Sequence, residues 1–294
     1  MRARLRPLVA ATVVGITVTS VLVASPASAA PPTVVYERRV VTVVEGIDGP
    51  THRAVQARCA RDEVATGGGF DVRGTTDPSA YTVLGSEPYQ NGWVAQIFVD
   101  GGYGHVDFAV HVVCLRKVVG DPHLGRRVES VVGTVTAGGI DSANPTCRPG
   151  EVATGGGYVV ASINPLAYTV FANGPLDNGW VVATYSDQTV MVASSVVCIT
   201  FPPDVAATLA HRIVGASGAA PSGVSTVVRV DCDRSREVSL GGGFEVASIN
   251  PNNYIVYRSA PASAASWAMG VHYSGSLPSS LPVWTGAVCL TVVA

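Results

Sequence analysis

The chain has 294 residues, of which 47% are hydrophobic, 14% charged and 7% aromatic, a composition that excludes a disordered or collagen-like polymer. A formal charge of −2 leaves no basic footprint for nucleic acid. The 32 glycines and 19 prolines forecast many turns while staying short of low complexity.

Arg2, Arg4 and Arg6 precede an apolar run from Leu8 to Ala24, and Ala27-Ser28-Ala29 follows it with small residues. A basic start, an apolar centre and an A-x-A end make a secretory signal peptide, expected over residues 1–29 with cleavage after Ala29. An uncleaved membrane anchor is the rival reading, and Thr12, Gly15, Thr17, Thr19 and Ser20 make that span less favourable. The leader holds three arginines and no acid, so its removal leaves a mildly acidic product. No later stretch is apolar enough to cross a membrane. The expected location is secreted and extracellular, with no transmembrane segment after signal removal.

Repetition dominates the rest of the chain and is read before any local motif. Cys59 is followed by Glu63-Val64-Ala65-Thr66-Gly67-Gly68-Gly69-Phe70, Cys147 by Glu151-Val152-Ala153-Thr154-Gly155-Gly156-Gly157-Tyr158, and Cys232 by Glu237-Val238-Ser239-Leu240-Gly241-Gly242-Gly243-Phe244. Downstream come Pro78, Pro165 and Pro251, then Tyr81, Tyr168 and Tyr254, then Trp93, Trp180 and Trp267, and finally Cys114, Cys198 and Cys289. Order and spacing divide the chain, after the leader, into modules at residues 30–116, 117–201 and 202–294. Short linkers stand at Gly120-Asp121-Pro122 and Pro202-Pro203-Asp204. Six cysteines allow fifteen pairings, and the repetition selects Cys59 with Cys114, Cys147 with Cys198, and Cys232 with Cys289. Closing a loop of about 55 residues is worth roughly 4 kcal/mol in the chain-entropy model. Metal ligation by these cysteines is disfavoured, because no C-x-x-C spacing occurs and export favours oxidation.

Within a module, segments rich in Val, Thr, Tyr and Phe alternate in polarity and are bounded by Gly, Pro and Asn, the pattern of strands and turns. Module 1 predicts strands over Arg39 to Glu45, His52 to Arg58, Glu63 to Val72, Ala80 to Ser86, Trp93 to Val99 and His105 to Leu115, with no helix. Asn91-Gly92 and Asn178-Gly179 predict tight hairpins with positive φ; Ala265-Ser266 requires a different turn. The last strand places Val106, Phe108, Val110, Val112 and Cys114 on one face and His105, Asp107, Ala109, His111 and Val113 on the other, the second expected to meet solvent. The fold class is therefore all-β: three tandem antiparallel β-sandwich-like modules of about 85 residues with one disulfide each. The period exceeds that of a trefoil or prism repeat, so beads in a row are preferred, with one compact pseudo-threefold β body as the alternative.

Several residues invite a functional reading. The triple glycines (Gly67, Gly68 and Gly69; Gly155, Gly156 and Gly157; Gly241, Gly242 and Gly243) resemble a phosphate loop only superficially, lacking the Lys-Ser/Thr and a following helix. They read as structural glycines, at a bulge or at a strand site where an aromatic ring or neighbouring backbone lies against the sheet. Trp93, Trp180 and Trp267 with Tyr81, Tyr168 and Tyr254 are candidate ligand-binding platforms for sugars or protein side chains, the alternative being burial in the core. Glu63, Glu151 and Glu237 recur without a second carboxylate, against a glycosidase pair and for a surface or capping role. His105, Asp107 and His111 share a strand face that could hold a metal in module 1 alone. No catalytic residue, resident metal or cofactor is expected.

The pattern Cys, Glu-Val, Gly-Gly-Gly-Phe/Tyr, Gly-Trp, Val-Cys resembles a module repeated in secreted proteins of high-GC bacteria, which implies a secreted repeat protein and no particular activity. Ser239-Leu240 and Ser266 in module 3 depart from it. The expected function is a secreted, non-catalytic binding or surface-associated protein that presents three similar modules to cell-envelope polysaccharide or an extracellular protein. The alternatives are a secreted inhibitor or toxin-associated ligand, and a hydrolase with its site between modules.

Overall fold

The computed structural model describes residues 36–75, 77, 80–102, 105–117, 124–162, 164, 167–202, 210–250, 253–275 and 279–291. The leader at 1–29, the linker residues 120–122 and 203–204, and Pro78, Pro165 and Pro251 lie outside them. Among the described residues no helix occurs. Module 1 supplies β1 (Tyr36–Asp48), β2 (Thr51–Arg58), β3 (Val64–Arg73), β4 (Tyr81–Pro88), β5 (Gly92–Val99) and β6 (His105–Lys117). Module 2 supplies β7 (Gly125–Val135), β8 (Gly139–Ala143), β9 (Val152–Ala161), β10 (Tyr168–Leu176), β11 (Gly179–Ser186) and β12 (Val190–Thr200). Module 3 supplies β13 (His211–Pro221), β14 (Val224–Asp231), β15 (Glu237–Val246), β16 (Tyr254–Ser263), β17 (Ser266–Tyr273) and β18 (Ser280–Thr291). All six strands expected in module 1 are present.

The first, sixth and third strands of each module pair as one half-sheet, and the second, fifth and fourth as another. In module 1 these halves, β1-β6-β3 and β2-β5-β4, pack on each other as a small sandwich. Each half then continues into a half from a different module. β3 pairs with β16, β9 with β4, and β15 with β10, each antiparallel. The result is three six-stranded antiparallel sheets, β1-β6-β3-β16-β17-β14, β2-β5-β4-β9-β12-β7 and β13-β18-β15-β10-β11-β8. The all-β class, the repeated modules and the three disulfides stand as expected. Of the two arrangements, the shared sheets select the pseudo-threefold body over separate beads. The long period follows, because one repeat supplies half of two sheets.

Sheet sharing also explains a difference on the last strand. The face of β6 expected to meet solvent is buried at Ala109, His111 and Val113. Val113 belongs to the same apolar cluster as Trp267, Cys232 and Cys289 of module 3. The covering layer is the next module, which sequence alternation within one repeat does not show. Arg38 adds a polar tie there: its Nε donates to the Ser239 carbonyl of module 3 at 2.6 Å. Arg126 of module 2 donates likewise to the Ala65 carbonyl of module 1 at 2.9 Å. Burial lowers the Arg38 pKa to about 10, which leaves the guanidinium charged at neutral pH.

The three glycines of each run have three different neighbours. A Cβ at Gly67 would overlap Leu240 O and Gly241 Cα; at Gly155, Thr66 O and Gly67 Cα; at Gly241, Thr154 O and Gly155 Cα. The first glycines therefore meet one another cyclically where β3, β9 and β15 converge on the pseudo-threefold axis. The second glycines, Gly68, Gly156 and Gly242, lie under the indoles of Trp93, Trp180 and Trp267. The third, Gly69, Gly157 and Gly243, lie against the carbonyls of Ser259, Ser86 and Asn173 on the strand of the adjoining module. At the axis the Thr66 hydroxyl donates to Leu240 O at 3.1 Å and the Thr154 hydroxyl to Thr66 O at 2.8 Å. In module 3 the fully buried Leu240 replaces the third hydroxyl.

The hairpins differ from expectation by one residue. The loop pairs are Gln90-Asn91 and Asp177-Asn178, with positive φ at Gln90 (52°) and Asp177 (48°). Asn91 instead bridges strands: its Oδ1 accepts from Ala65 N at 3.0 Å and its Nδ2 donates to Glu63 O at 2.8 Å. Gly92 is required because a Cβ would overlap Ala57 O. In module 3 the Ala264 carbonyl accepts from Ser239 N at 3.0 Å and takes over the asparagine's part.

Gly67→Ala forces two backbones apart and is expected to cost about 3 kcal/mol, the upper part of the overpacking range. Gly133→Ala has only Asp141 Oδ2, at 3.7 Å, near its new Cβ, and is expected to be neutral or stabilising by about 0.5 kcal/mol; denaturant titration of both variants checks the contrast. Because every sheet joins two modules, calorimetry should show one unfolding transition, and three independent transitions would contradict the shared core. Replacing one disulfide by paired alanines should lower that single transition by about 4 kcal/mol of stability.

Candidate functional site

The repeated aromatics do not face solvent, which corrects the expectation of three ligand platforms. Trp93, Trp180 and Trp267 are fully buried, and Tyr81, Tyr168 and Tyr254 nearly so. Each indole Nε1 donates within its own module, to Ser86 Oγ (2.9 Å), Asn173 Oδ1 (2.7 Å) and Ser259 Oγ (3.2 Å). The rings fill the space over the middle glycines, so the two repeated motifs are one packing device. Tyr254 Oη donates to Ser248 O at 3.0 Å. These six aromatics are core, with no face left for a ligand.

The repeated glutamates cap turns beside the disulfides. Glu63 Oε1 accepts from Arg39 Nε at 2.8 Å, Glu151 Oε1 from Arg127 Nε at 3.0 Å, and Glu237 Oε1 from Arg212 Nε at 2.7 Å. The second oxygen of each accepts from a backbone amide, of Ala60, Arg148 and Asp233. Each Glu lies close to a cysteine pair, but both sulfurs are spent in the S–S bond and offer no thiolate. In module 1, His105 bridges Asp48 and Asp107 at the exposed end of β6. His111 is buried six residues along and bonds Thr42 Oγ1 at 2.8 Å. At about 3.3 Å per residue the two histidines stand roughly 20 Å apart and share no ion.

A site emerges in the third sheet beside the junction of β10 with β15, where modules 2 and 3 meet. Beside the third glycine, the first and sixth strands carry a cross-strand pair at equivalent positions: Thr42 with His111, Ser130 with Ser195, and Gly215 with Gly286. In the first two sheets this pair is a filled, hydrogen-bonded plug, at 2.8 Å in each. In the third it has no side chains, and a cleft of about 240 Å³ opens over it. Trp284, Ile213 and Pro175 form its apolar walls, and Glu245 is the titratable group that lines it. Trp284 is 39% and Ile213 40% exposed. Register places Ala109 and Ala193 where module 3 has Trp284, since these three pair with Val44, Val132 and Ser217 on the neighbouring strand. Trp284, the fourth tryptophan of the chain, stands outside the threefold set. The sequence reading missed it by attending to what repeats, and its departure from the repeat is the signal that marks it.

No protein-family model matches this chain, and no curated protein matches it. Among the described residues no helix is long and apolar enough to cross a membrane.

The Glu–Arg caps carry a pH dependence. Arg127, with the Arg148 amide, holds Glu151 at about 2 against an ordinary 4.5, and Arg212 lowers Glu237 in the same direction. A carboxylate depressed by folding stabilises above its unfolded pKa and loses that contribution as pH falls through the folded one. Thermal stability should therefore drop between about pH 4.5 and pH 2. Arg127→Gln should shrink the loss over that interval, as followed by circular dichroism melts.

Proposed function

We propose that the protein is a secreted, non-catalytic binding protein that engages a cell-envelope polysaccharide or an extracellular protein through the cleft of the third sheet. The supporting observation is the pairing of an exposed Trp284 with a floor of two glycines, at the one of three equivalent positions where the plug is missing. An exposed indole carries a large apolar face and a polar N–H, the combination enriched at binding surfaces. A glycoside hydrolase takes two carboxyl groups about the scissile bond, whereas the cleft brings together one, which favours binding over hydrolysis. Three disulfides fit an oxidising compartment and, with the leader pattern of residues 1–29, support export. The cleft of the third sheet replaces presentation by three similar modules in this reading, because among the described residues the equivalent positions on the other two sheets are filled.

Trp284→Ala tests this reading, since alanine is what modules 1 and 2 carry there and the fold tolerates it. The native protein should be retained on insoluble cell-wall polysaccharide or on an immobilised extracellular partner, and the variant should lose at least about tenfold in affinity, a difference of about 1.4 kcal/mol. Equal retention of both would remove the cleft from the function.

A further inference from the structure

We infer that the cleft of the third sheet accepts a single pyranose ring, stacked on Trp284 with ring hydroxyls turned to Glu245; this rests on the binding reading above. Size is the first argument. Pockets for drug-sized ligands run from about 300 to 1,000 Å³, and at about 240 Å³ this one suits one ring of a longer chain rather than an extended organic ligand. Its open mouth lets neighbouring residues of a polymer continue past it.

Shape is the second. A sugar chair has an apolar face of C–H groups and a rim of hydroxyls. The indole of Trp284, with Ile213 and Pro175, offers apolar surface for the first. The Glu245 carboxylate, acceptor-only when ionised, takes hydrogen bonds from the second. Register puts Glu245 directly across from Trp284, so stacking and hydroxyl contact fall on one side of the same ring. The glycine pair makes room: a Cβ at Gly286 would lie 3.4 Å from Pro175 Cγ and one at Gly215 3.7 Å from Thr285 O. Side chains would therefore enter the cleft without moving backbone, as Ser195 and His111 do on the other sheets.

A quaternary ammonium group is the competing occupant of an indole beside a carboxylate. Recognition of that kind uses a cage of several aromatic faces that desolvates the cation. Here the one exposed aromatic ring of the lining is Trp284, Phe244 being buried, and the carboxylate is exposed, which favours the neutral, hydroxylated ring.

Tryptophan fluorescence reads the site directly, because the other three indoles are buried and acrylamide quenches Trp284 selectively. The full chain is titrated with methyl glycosides of glucose, mannose, galactose and N-acetylglucosamine and their short oligomers, and separately with tetramethylammonium. At least one glycoside should shield Trp284 from the quencher. Gly286→Ser, which copies module 2, should weaken that glycoside about tenfold, and Glu245→Gln should weaken it by a smaller factor, with unfolding midpoints unchanged. Shielding by no glycoside, or tighter binding of tetramethylammonium than of any glycoside, overturns the inference. If Trp284-dependent retention on a partner persists in either case, the binding reading stands and the sugar assignment alone falls.

Discussion

Backbone contact without side chains, at the meeting of β3, β9 and β15, is the constraint on which the rest of the molecule depends. Three strands approach one axis so closely that any Cβ at the first glycine of a run would strike a carbonyl of the next module. Glycine weakens a strand by about 0.5–1 kcal/mol, so nine of them in three strands are a standing cost. That cost is offset by three buried tryptophans seated on the middle glycines and by the sheet pairing that the third glycines admit. Each glycine of the run thus serves a separate contact: the axis, the module's own ring, the neighbour's strand.

Besides the hairpin of module 3, two departures from threefold equivalence stand out. Near the axis, Leu240 stands where two hydroxyls donate, and exposed His211 stands where Arg38 and Arg126 tie modules together. On the outer face, Gly215, Gly286 and Trp284 open a cleft where the other sheets carry hydrogen-bonded pairs. Both concentrate in module 3. The framework of disulfides, Glu–Arg caps and buried indoles is kept in all three modules, so variation at the cleft leaves the supports of the fold untouched.

Much of this was legible in the sequence because it is local or repeated. Strand alternation located all six strands of module 1, and the spacing of Cys59 and Cys114, repeated twice, identified each disulfide. What the sequence did not disclose depends on pairing between distant segments. β3 meets β16 through two residue pairs, Asp71 with Arg258 and Phe70 with Ser259, too few to leave a periodic pattern. The burial of Val113 and His111 follows from that pairing, whereas alternation within one strand predicts exposure there. Repetition marks Trp93, Trp180 and Trp267 as important without distinguishing core from surface. The cleft arises from the absence of side chains at Gly215 and Gly286, residues that become neighbours only once β13 lies beside β18.

The exchange of half-sheets has a consequence for how such a chain can change. Module 1 gives one edge to module 2 and the other to module 3, and modules 2 and 3 join each other, so the ring of edges is closed. Solenoid arrays grow by adding units at an end; here an inserted fourth copy would find the third and fourth strand of every module already paired with another module, and a deleted copy would leave two of those strands unpaired. The closed pairing of third and fourth strands ties the three copies to one another, and substitution on the outer faces changes the surface without touching that pairing.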